Sequence, residues 1–350
     1  MEYRSLSDMG KTITLNTHKI PPSVDLVVGI PGSGMLAGSL IALSLNTLAA
    51  DLQGFIENRT LRHGFTRNTK TFYSSPREAR HVLLVNDAIV SGHTMQKARE
   101  KISAAGIEQI ITACVVYAGH EHTENADLIF EQLRPPFAFE WSLMYSPLLQ
   151  DCCVDIDGLF LDIPLTNDVE DRQARMRSIR DARPLTVPSQ PAGVLVTDYP
   201  ETFRHEIETW LDKHNIRYRK LHMPEHGGVN GIRRSGHLAT FKSRVYQDYP
   251  EAPLFIESSS DLARTIALQT GRKVLSYMDQ EIFTPEYLRA MATKQIRSLP
   301  SRILRKMSQL AFRDPLAPPH QLAGAEQINS KKQSHGASLP DLKVNDNHNK

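Results

Sequence analysis

Short apolar runs and amphipathic segments alternate along the chain as far as about residue 277. The clearest run is Val-Leu-Leu-Val at 82–85. Polar residues bound it on both sides, which predicts a strand buried on both faces of a parallel sheet. Apolar residues then recur every three or four positions from Met95 to Ile102, a spacing that predicts a helix over 94–105. Gly106 would end that helix, so the stretch predicts a strand, a tight turn and a helix.

The same order of strand, small-residue turn and helix occurs near the start of the chain. An apolar run at 24–28 leads into a glycine-rich turn, and a helical pattern follows from Met35. Such turns gather backbone N–H groups at a helix N-terminus, which favours an anion, and glycine lets the backbone approach it closely. Asn86 and Asp87 end the later strand, where Asp87 can reach a ribose hydroxyl or a hydrated metal ion. The candidate phosphate-binding residues of the two turns are Gly29, Pro31, Gly32, Ser33, Gly34, Ser91, Gly92, His93 and Thr94.

The later stretch resembles the 5-phosphoribosyl-1-pyrophosphate (PRPP) signature of type I phosphoribosyltransferases. In that family, four apolar residues precede two acids, two apolar residues and a loop of hydroxyl residues around a glycine. A pyrophosphate-binding loop lies at the earlier turn. Here Asn86 replaces the first acid and His93 replaces a loop hydroxyl. The resemblance implies that Asn86 and Asp87 hold the ribose hydroxyls, with Asp87 also a candidate Mg²⁺ ligand. It further implies that the later turn holds the 5-phosphate and the earlier turn the pyrophosphate.

Two other regions of the first half carry candidate residues. The polar segment 59–80 falls where the family has a mobile loop that closes over the substrate, and the sequence does not choose among its cations. Those cations are Arg59, Arg67, Lys70 and Arg77. The aromatic stretch 137–141 falls where the family has a hood over the acceptor. Trp141 there would either stack on the acceptor or pack in the core.

The second half also has polar residues directly after apolar runs. Asp155 and Asp157 follow the run 152–154, and because residues i and i+2 share a face of a strand, both acids can meet one metal ion. This Asp-x-Asp resembles the first motif of the haloacid dehalogenase (HAD) superfamily of phosphotransferases. By that resemblance, Asp155 is the nucleophile and Asp157 the general acid and base, while Mg²⁺ neutralises charge.

Three later stretches are similar to the remaining motifs of that superfamily. Thr197 would bind the phosphoryl group, and Lys242 would balance the charge of the nucleophile and the phosphate. Glu257 and Asp261 follow another apolar run, with Glu257 in a position where aspartate is usual. The expected metal ligands of this half are Asp155, Asp157, Glu257 and Asp261. The short intervals between the motifs leave room only for a small cap.

Together the patterns predict an α/β chain of two domains. Residues 1–150 would form a type I phosphoribosyltransferase fold, a parallel sheet flanked by helices. Residues 151–313 would form a HAD-like Rossmannoid phosphatase domain with a small cap, including an amphipathic basic helix at 301–312. The polar segment 314–350 is rich in Pro, Ser and Asn, a composition typical of a disordered tail.

Composition narrows the classes of function. A formal net charge of +2 over 350 residues argues against a general nucleic-acid-binding protein. No apolar run nears the ~20 residues of a membrane helix, so stable membrane insertion is not expected. The three cysteines lack metal-binding spacing, which predicts reduced, structural thiols in the cytoplasm. Cys152 and Cys153 are adjacent and should point to opposite faces of a strand.

The two resemblances together imply a sequence of two reactions. The chain looks like bacterial proteins of polysaccharide ribofuranosylation, in which ribose 5-phosphate passes from PRPP to an acceptor and a phosphatase then removes the 5-phosphate. The acceptor would be a small molecule or a glycan, and Mg²⁺ the cofactor. One alternative is a nucleobase phosphoribosyltransferase of nucleotide salvage or synthesis. Another is a PRPP-binding regulator without catalysis. The sequence leaves the oligomeric state open, with a homodimer among the options.

Overall fold

The computed structural model describes residues 1–62, 72–162, 172–225 and 231–297. Within it, Met1–Lys294 forms one compact unit. Four sequence expectations concern residues outside these ranges: the cations Arg67 and Lys70, the helix at 301–312 and the tail at 314–350. In the described ranges, we find no helix that is both long and apolar enough to cross a bilayer.

The described elements alternate between strands and helices, as the apolar pattern predicts. In chain order the strands are β1 (Glu2–Arg4), β2 (Leu26–Gly29), β3 (Leu48–Asp51), β4 (His81–Ile89), β5 (Ile110–Ala118), β6 (Leu128–Gln132), β7 (Phe137–Phe139), β8 (Cys153–Asp155), β9 (Ala192–Val196), β10 (Tyr218–His222), β11 (Phe255–Glu257), β12 (Val274–Ser276) and β13 (Glu281–Phe283). The helices are α1 (Leu6–Asn16), α2 (Ser33–Leu45), α3 (Leu52–Ile56), α4 (His93–Ala104), α5 (Arg172–Asp181), α6 (Arg204–Lys213), α7 (Gly231–Asp248), α8 (Ser260–Thr270) and α9 (Pro285–Arg297).

The first sheet has the order β3-β2-β4-β5-β6, and every neighbouring pair in it is parallel. Its central strand is buried on both faces. Val82 and Leu84 pack into one hydrophobic cluster, whereas Leu83 and Val85 pack into another on the opposite side. This arrangement confirms the prediction of a parallel sheet flanked by helices in the first half.

Strand β4 is longer than its apolar run. Its ladder with β5 continues through Asn86 to Ile89, which pairs with Ala118. The sequence predicted that Asp87 ends this strand, but the strand continues two residues further, because β5 offers a partner along the whole length. Asp87 consequently lies within the strand and not in the loop that follows it.

The second sheet has the order β10-β9-β8-β11-β12-β13. All its pairs are parallel except β12 with β13, which forms an antiparallel edge. The register pairs Asp155 with Val196, so the carboxyl ends of β8 and β9 meet at one edge. Glu257 ends the strand on the other side of β8, and polar residues of three neighbouring strands thus share this edge.

The two halves of the chain share one hydrophobic cluster. Leu143 and Met144, which precede the second sheet, pack in the same cluster as Val154 and Leu195 of that sheet, and Tyr3 joins them from β1. The connection between the sheets is therefore part of the core.

The three cysteines are free and buried. Cys152 and Cys153 belong to different hydrophobic clusters, which confirms that their side chains face opposite sides.

Candidate active sites

The first candidate site lies where β2 and β4 end side by side. Ile30 N donates to the carbonyl of Val85 at 2.9 Å, which ties the glycine-rich turn to the neighbouring strand. A Cβ built on Gly34 would lie 2.7 Å from Oδ1 of Asn86 and 3.0 Å from the carbonyl of Val85, so only glycine fits there. Gly32 adopts φ +104°, a conformation that glycine tolerates best. The structure thus brings the predicted pyrophosphate turn against Asn86.

The second turn is shaped by Gly92, which has φ +75° and immediately precedes α4. A Cβ on it would lie 2.5 Å from Nδ2 of Asn125 and 3.2 Å from Cβ of His122. The segment after β5, which includes the 3₁₀ turn Thr123–Asn125, therefore packs directly over this turn. Ser91, His93 and Thr94 remain exposed at the start of the helix, as a phosphate-binding turn requires. The sequence did not single out Asn125, since only the fold brings it to Gly92.

Asn86 and Asp87 are both buried but have different partners. Asn86 Nδ2 donates to the carbonyl of Ala88 at 2.8 Å. Asp87 accepts a hydrogen bond from Nε1 of Trp141, also at 2.8 Å. The amide of Asn86 therefore faces the glycine-rich turn, whereas the carboxylate of Asp87 is held from the aromatic segment.

A cavity of about 870 Å³ opens beside this site. It is bounded by Val90 after β4, by His120 and Glu121 after β5, by Phe137 and Phe139, and by Asp151 before β8. Its wall combines two aromatic rings with two carboxylates, and it lies at the carboxyl ends of the strands that carry the turns. Of the cations of the predicted closing loop, the two within the described residues are engaged elsewhere: Arg59 pairs with Asp51 and Glu57, and Arg77 donates to the carbonyl of Ile56.

The second candidate site surrounds the ammonium group of Lys242, which is fully buried on α7. Its Nζ lies 3.0 Å from Oδ1 of Asp155, 2.9 Å from Oδ1 of Asp198 and 2.9 Å from Oε2 of Glu257. Ser258 Oγ donates to the other oxygen of Asp155 at 2.9 Å. The predicted Asp155, Lys242 and Glu257 are thus in direct contact.

Asp157 and Thr197 form the other part of this cluster. Oδ2 of Asp157 accepts from Oγ1 of Thr197 and from the backbone N of Asp198, each at 2.7 Å. The Thr197 hydroxyl, expected on a phosphoryl group, is therefore a donor to Asp157 in this structure. This hydrogen bond fixes the carboxyl group of Asp157 relative to the end of β9.

Burial and like charge shift the pKa values of this cluster. Burial, reinforced by the charge of Glu257, raises the pKa of Asp155 well above its usual range. Burial, with the charges of Asp155 and Asp198, raises the pKa of Asp157 to about 8. Although burial opposes a charge on Lys242, the surrounding carboxylates raise its pKa well above the ordinary value. At neutral pH the arrangement therefore favours a protonated Asp157 beside a charged lysine, which suits a general acid.

The metal ligands that the structure groups together differ from the expected set. Among the described residues, Asp155, Asp157 and Asp198 have carboxylate oxygens within 4.8 Å of one another. Oδ1 of Asp155 and Oδ1 of Asp198 are buried, and their described partner is the ammonium group of Lys242. Such oxygens are the ligands that Mg²⁺ prefers, so the cluster fits a divalent cation.

Glu257 and Asp261, the expected acids of the last motif, lie differently. Glu257 faces Lys242, and Asp261 is exposed in the first turn of α8. Asp198 takes the third position in the group instead. A signal for Asp198 was present in the sequence: it comes two residues after β9, as Asp157 comes two residues after β8.

One family model matches part of the first half of the chain. Residues 10–143 match the model described as "Phosphoribosyl transferase domain". This part of the chain is therefore similar to a phosphoribosyltransferase domain, and the match spans less than half of the 350 residues. The match covers both turns, Asn86, Asp87 and Trp141, and it ends before the second sheet. A search of curated proteins found no match.

Several solved structures are similar to this chain at low sequence identity. A purine phosphoribosyltransferase from Pyrococcus horikoshii is 13% identical, with 40% of this chain and 92% of that one covered and a TM-score of 0.29. A Helicobacter pylori xanthine-guanine-hypoxanthine phosphoribosyltransferase is 10% identical, with 41% and 92% covered and a TM-score of 0.30. An orotate phosphoribosyltransferase from Aeropyrum pernix is 18% identical, with 36% and 71% covered and a TM-score of 0.26.

Proposed function

We propose that this chain transfers ribose 5-phosphate from PRPP to a glycan acceptor and then removes the 5-phosphate. Residues 1–150 would catalyse the transfer, and residues 151–313 would act as a HAD-like phosphatase. The observation that carries the proposal is the pairing of a phosphoribosyltransferase domain with a second parallel sheet whose carboxyl edge buries Asp155, Asp157, Thr197 and Lys242 together.

In the first step, the bond between the anomeric carbon and pyrophosphate breaks, a bond to an acceptor oxygen forms, and the acceptor hydroxyl releases its proton to solvent. The turn at Gly92 would hold the 5-phosphate through backbone N–H groups at the start of α4. Asp87 would accept hydrogen bonds from the ribose hydroxyls. The turn at Gly32 would hold the departing pyrophosphate, and stabilisation of its charge would supply most of the rate.

The cavity beside this site supports a polyhydroxylated acceptor. Phe137 and Phe139 offer apolar faces, and Glu121 and Asp151 offer carboxylates that accept hydrogen bonds from hydroxyl groups. Those two charges would repel a phosphorylated or carboxylated acceptor. A neutral sugar presents both hydroxyl groups and apolar C–H faces, so it complements this wall.

In the second step, a carboxylate oxygen of Asp155 would attack the phosphorus and the bond to the ribose O5 would break. Asp157 would give its proton to the leaving oxygen and would then take one from the water that releases phosphate. Lys242 would neutralise charge on Asp155 and on the phosphoryl group. A Mg²⁺ ion held by Asp155, Asp157 and Asp198 would supply further charge neutralisation.

The experiment that tests the second step is phosphate release in the presence of Mg²⁺. One substrate would be a glycoside ending in ribofuranose 5-phosphate, and the others a set of nucleoside 5′-monophosphates. We expect release from the glycoside, loss in Asp155→Asn and retention in Asp261→Asn, whose acid is exposed outside the cluster. Release from nucleotides alone would move the protein to nucleotide metabolism, and no release from either substrate would refute the phosphatase.

The first step is tested by titrating PRPP with Mg²⁺ and by measuring pyrophosphate release with candidate acceptors. We expect binding, with turnover only when a sugar acceptor is added. Turnover with a purine or pyrimidine base instead would favour a nucleobase phosphoribosyltransferase. Binding without turnover for any acceptor would favour a PRPP-sensing regulator.

A further inference from the structure

Trp141 makes a hydrogen bond that reaches into the candidate PRPP site. Its indole Nε1 donates to Oδ2 of Asp87 at 2.8 Å, and the two residues are 54 positions apart in sequence. In the described part of the chain, this is the one hydrogen bond that the Asp87 side chain accepts. The contact therefore engages one carboxylate oxygen and leaves Oδ1 to accept from a ligand.

The indole is itself held by an aromatic stack. Its ring centroid lies 4.7 Å from that of Phe139 with an angle of 12° between the planes. Phe139 in turn stacks on Tyr117 at 5.3 Å and 28°. Tyr117 belongs to β5 and pairs in register with Ala88, the residue after Asp87. The acceptor thus lies on β4, and the donor, which follows β7, is held against the neighbouring β5 by this stack.

Trp141 does not line the acceptor cavity in the described structure. Phe137 and Phe139 belong to its lining, whereas the indole stacks on Phe139 and donates to Asp87. The sequence left two roles open for Trp141, acceptor stacking and core packing. The geometry matches core packing only in part. The ring packs on the core, but its polar atom is directed at a binding-site carboxylate.

We propose that Trp141 is a positioning residue that orients the Asp87 carboxylate toward the ribose of PRPP. This inference rests on the proposed PRPP-binding function of the first half. An aspartate without this donor can rotate its carboxylate about the bond to Cβ, and a ligand must then fix it at an entropic cost. Because a hydrogen bond to a charged group is strong, its loss should weaken PRPP binding about tenfold or more.

The test is a calorimetric titration of PRPP with Mg²⁺ into the full chain and four variants. Trp141→Phe keeps an aromatic ring in the stack and removes the donor. Tyr117→Phe is the matched control, because it removes a polar atom from the same stack without touching Asp87. Asp87→Asn and the double variant Trp141→Phe/Asp87→Asn complete a double-mutant cycle. Thermal unfolding of each variant reports its folding.

We expect Trp141→Phe to unfold cooperatively but to bind PRPP about tenfold more weakly, and Tyr117→Phe to bind like the wild type. In the Asp87→Asn background, the tryptophan substitution should have a smaller effect, because the remaining acceptor is an uncharged amide oxygen and the hydrogen bond is weaker. Equal affinity of Trp141→Phe and the wild type would overturn the inference, as would effects that simply add in the double variant. If the wild type itself binds no PRPP, the proposed function fails instead.

Discussion

The buried ammonium of Lys242 should be indispensable for stability as well as for any chemistry at the second site. It is the counter-charge that the described structure places among Asp155, Asp157, Asp198 and Glu257, all of which are buried. Substituting methionine keeps the length of the side chain and removes only the charge. We expect Lys242→Met to lose about 3–5 kcal/mol of unfolding free energy, the usual cost of breaking a buried ion pair from one side.

The magnitude follows from the charges that remain. With Lys242 present, three acids contact one ammonium, and in Lys242→Met nothing within the described cluster offsets their charge. A typical domain is stable by only about 5–15 kcal/mol, so the loss should be plain in a denaturant titration. Adding Glu257→Gln removes one carboxylate and restores the original excess of negative charge. The double variant should therefore be more stable than Lys242→Met alone.

Urea unfolding monitored by circular dichroism would measure these differences without Mg²⁺. Lys101→Met, an exposed lysine on α4, is the control and should change stability by no more than about 0.5 kcal/mol. The reasoning is refuted if Lys242→Met unfolds within about 1 kcal/mol of the wild type, below the range for buried pairs. It is also refuted if Glu257→Gln destabilises the double variant further, since relief of repulsion predicts the opposite sign.

Three further predictions concern the metal, the phosphate turn and the cysteines. Mg²⁺ should raise the melting temperature of the wild type, because it binds only the folded state. Asp198→Asn should reduce that rise, whereas Asp261→Asn should keep it. Equal rises in the wild type and both variants would exclude Asp198 as a ligand. Asn125→Asp should weaken PRPP binding about tenfold, because it sets a negative charge over the turn at Gly92, whereas Asn125→Ala should weaken it less; calorimetry checks both. Burial raises the pKa of the Cys153 thiol to about 12, and it also raises the pKa of the Cys114 and Cys152 thiols. A thiol reagent at mildly alkaline pH should therefore label none of the three before denaturant is added. Rapid labelling of the native protein would contradict this burial.

Much of the sheet architecture could be predicted because it depends on local patterns. Apolar runs bounded by polar residues mark β2, β4, β8, β9 and β11, and all of them are buried strands. The two turns are visible because glycine is needed where the backbone has positive φ or approaches a neighbour closely. Parallel strands place their carboxyl ends at one edge, so residues that follow such runs were expected to meet.

What the sequence did not reveal depends on contacts between distant parts of the chain. The register of β8 with β9 brings Asp198 to Asp157, and no local pattern fixes that register. The hydrogen bond between Trp141 and Asp87 likewise requires the aromatic segment to fold back onto β4. Asp261 shows the converse: its spacing from Glu257 suited a motif, but α8 starts early enough to leave its side chain in solvent.

The shared core has a consequence for how two consecutive reactions would be coupled. Asp151 borders the cavity proposed for the acceptor and lies two residues before β8, whereas Asp155 ends that strand. Four residues of extended chain span about 13 Å, at roughly 3.3 Å per residue, so the two sites lie toward opposite edges of the second sheet. Because Leu143 and Met144 pack in the core of that sheet, the connection is not a flexible tether that could bring the sites together. A ribosylated product would therefore have to leave the cavity and approach the other edge, a path that suits an extended glycan carrying its phosphate at one end.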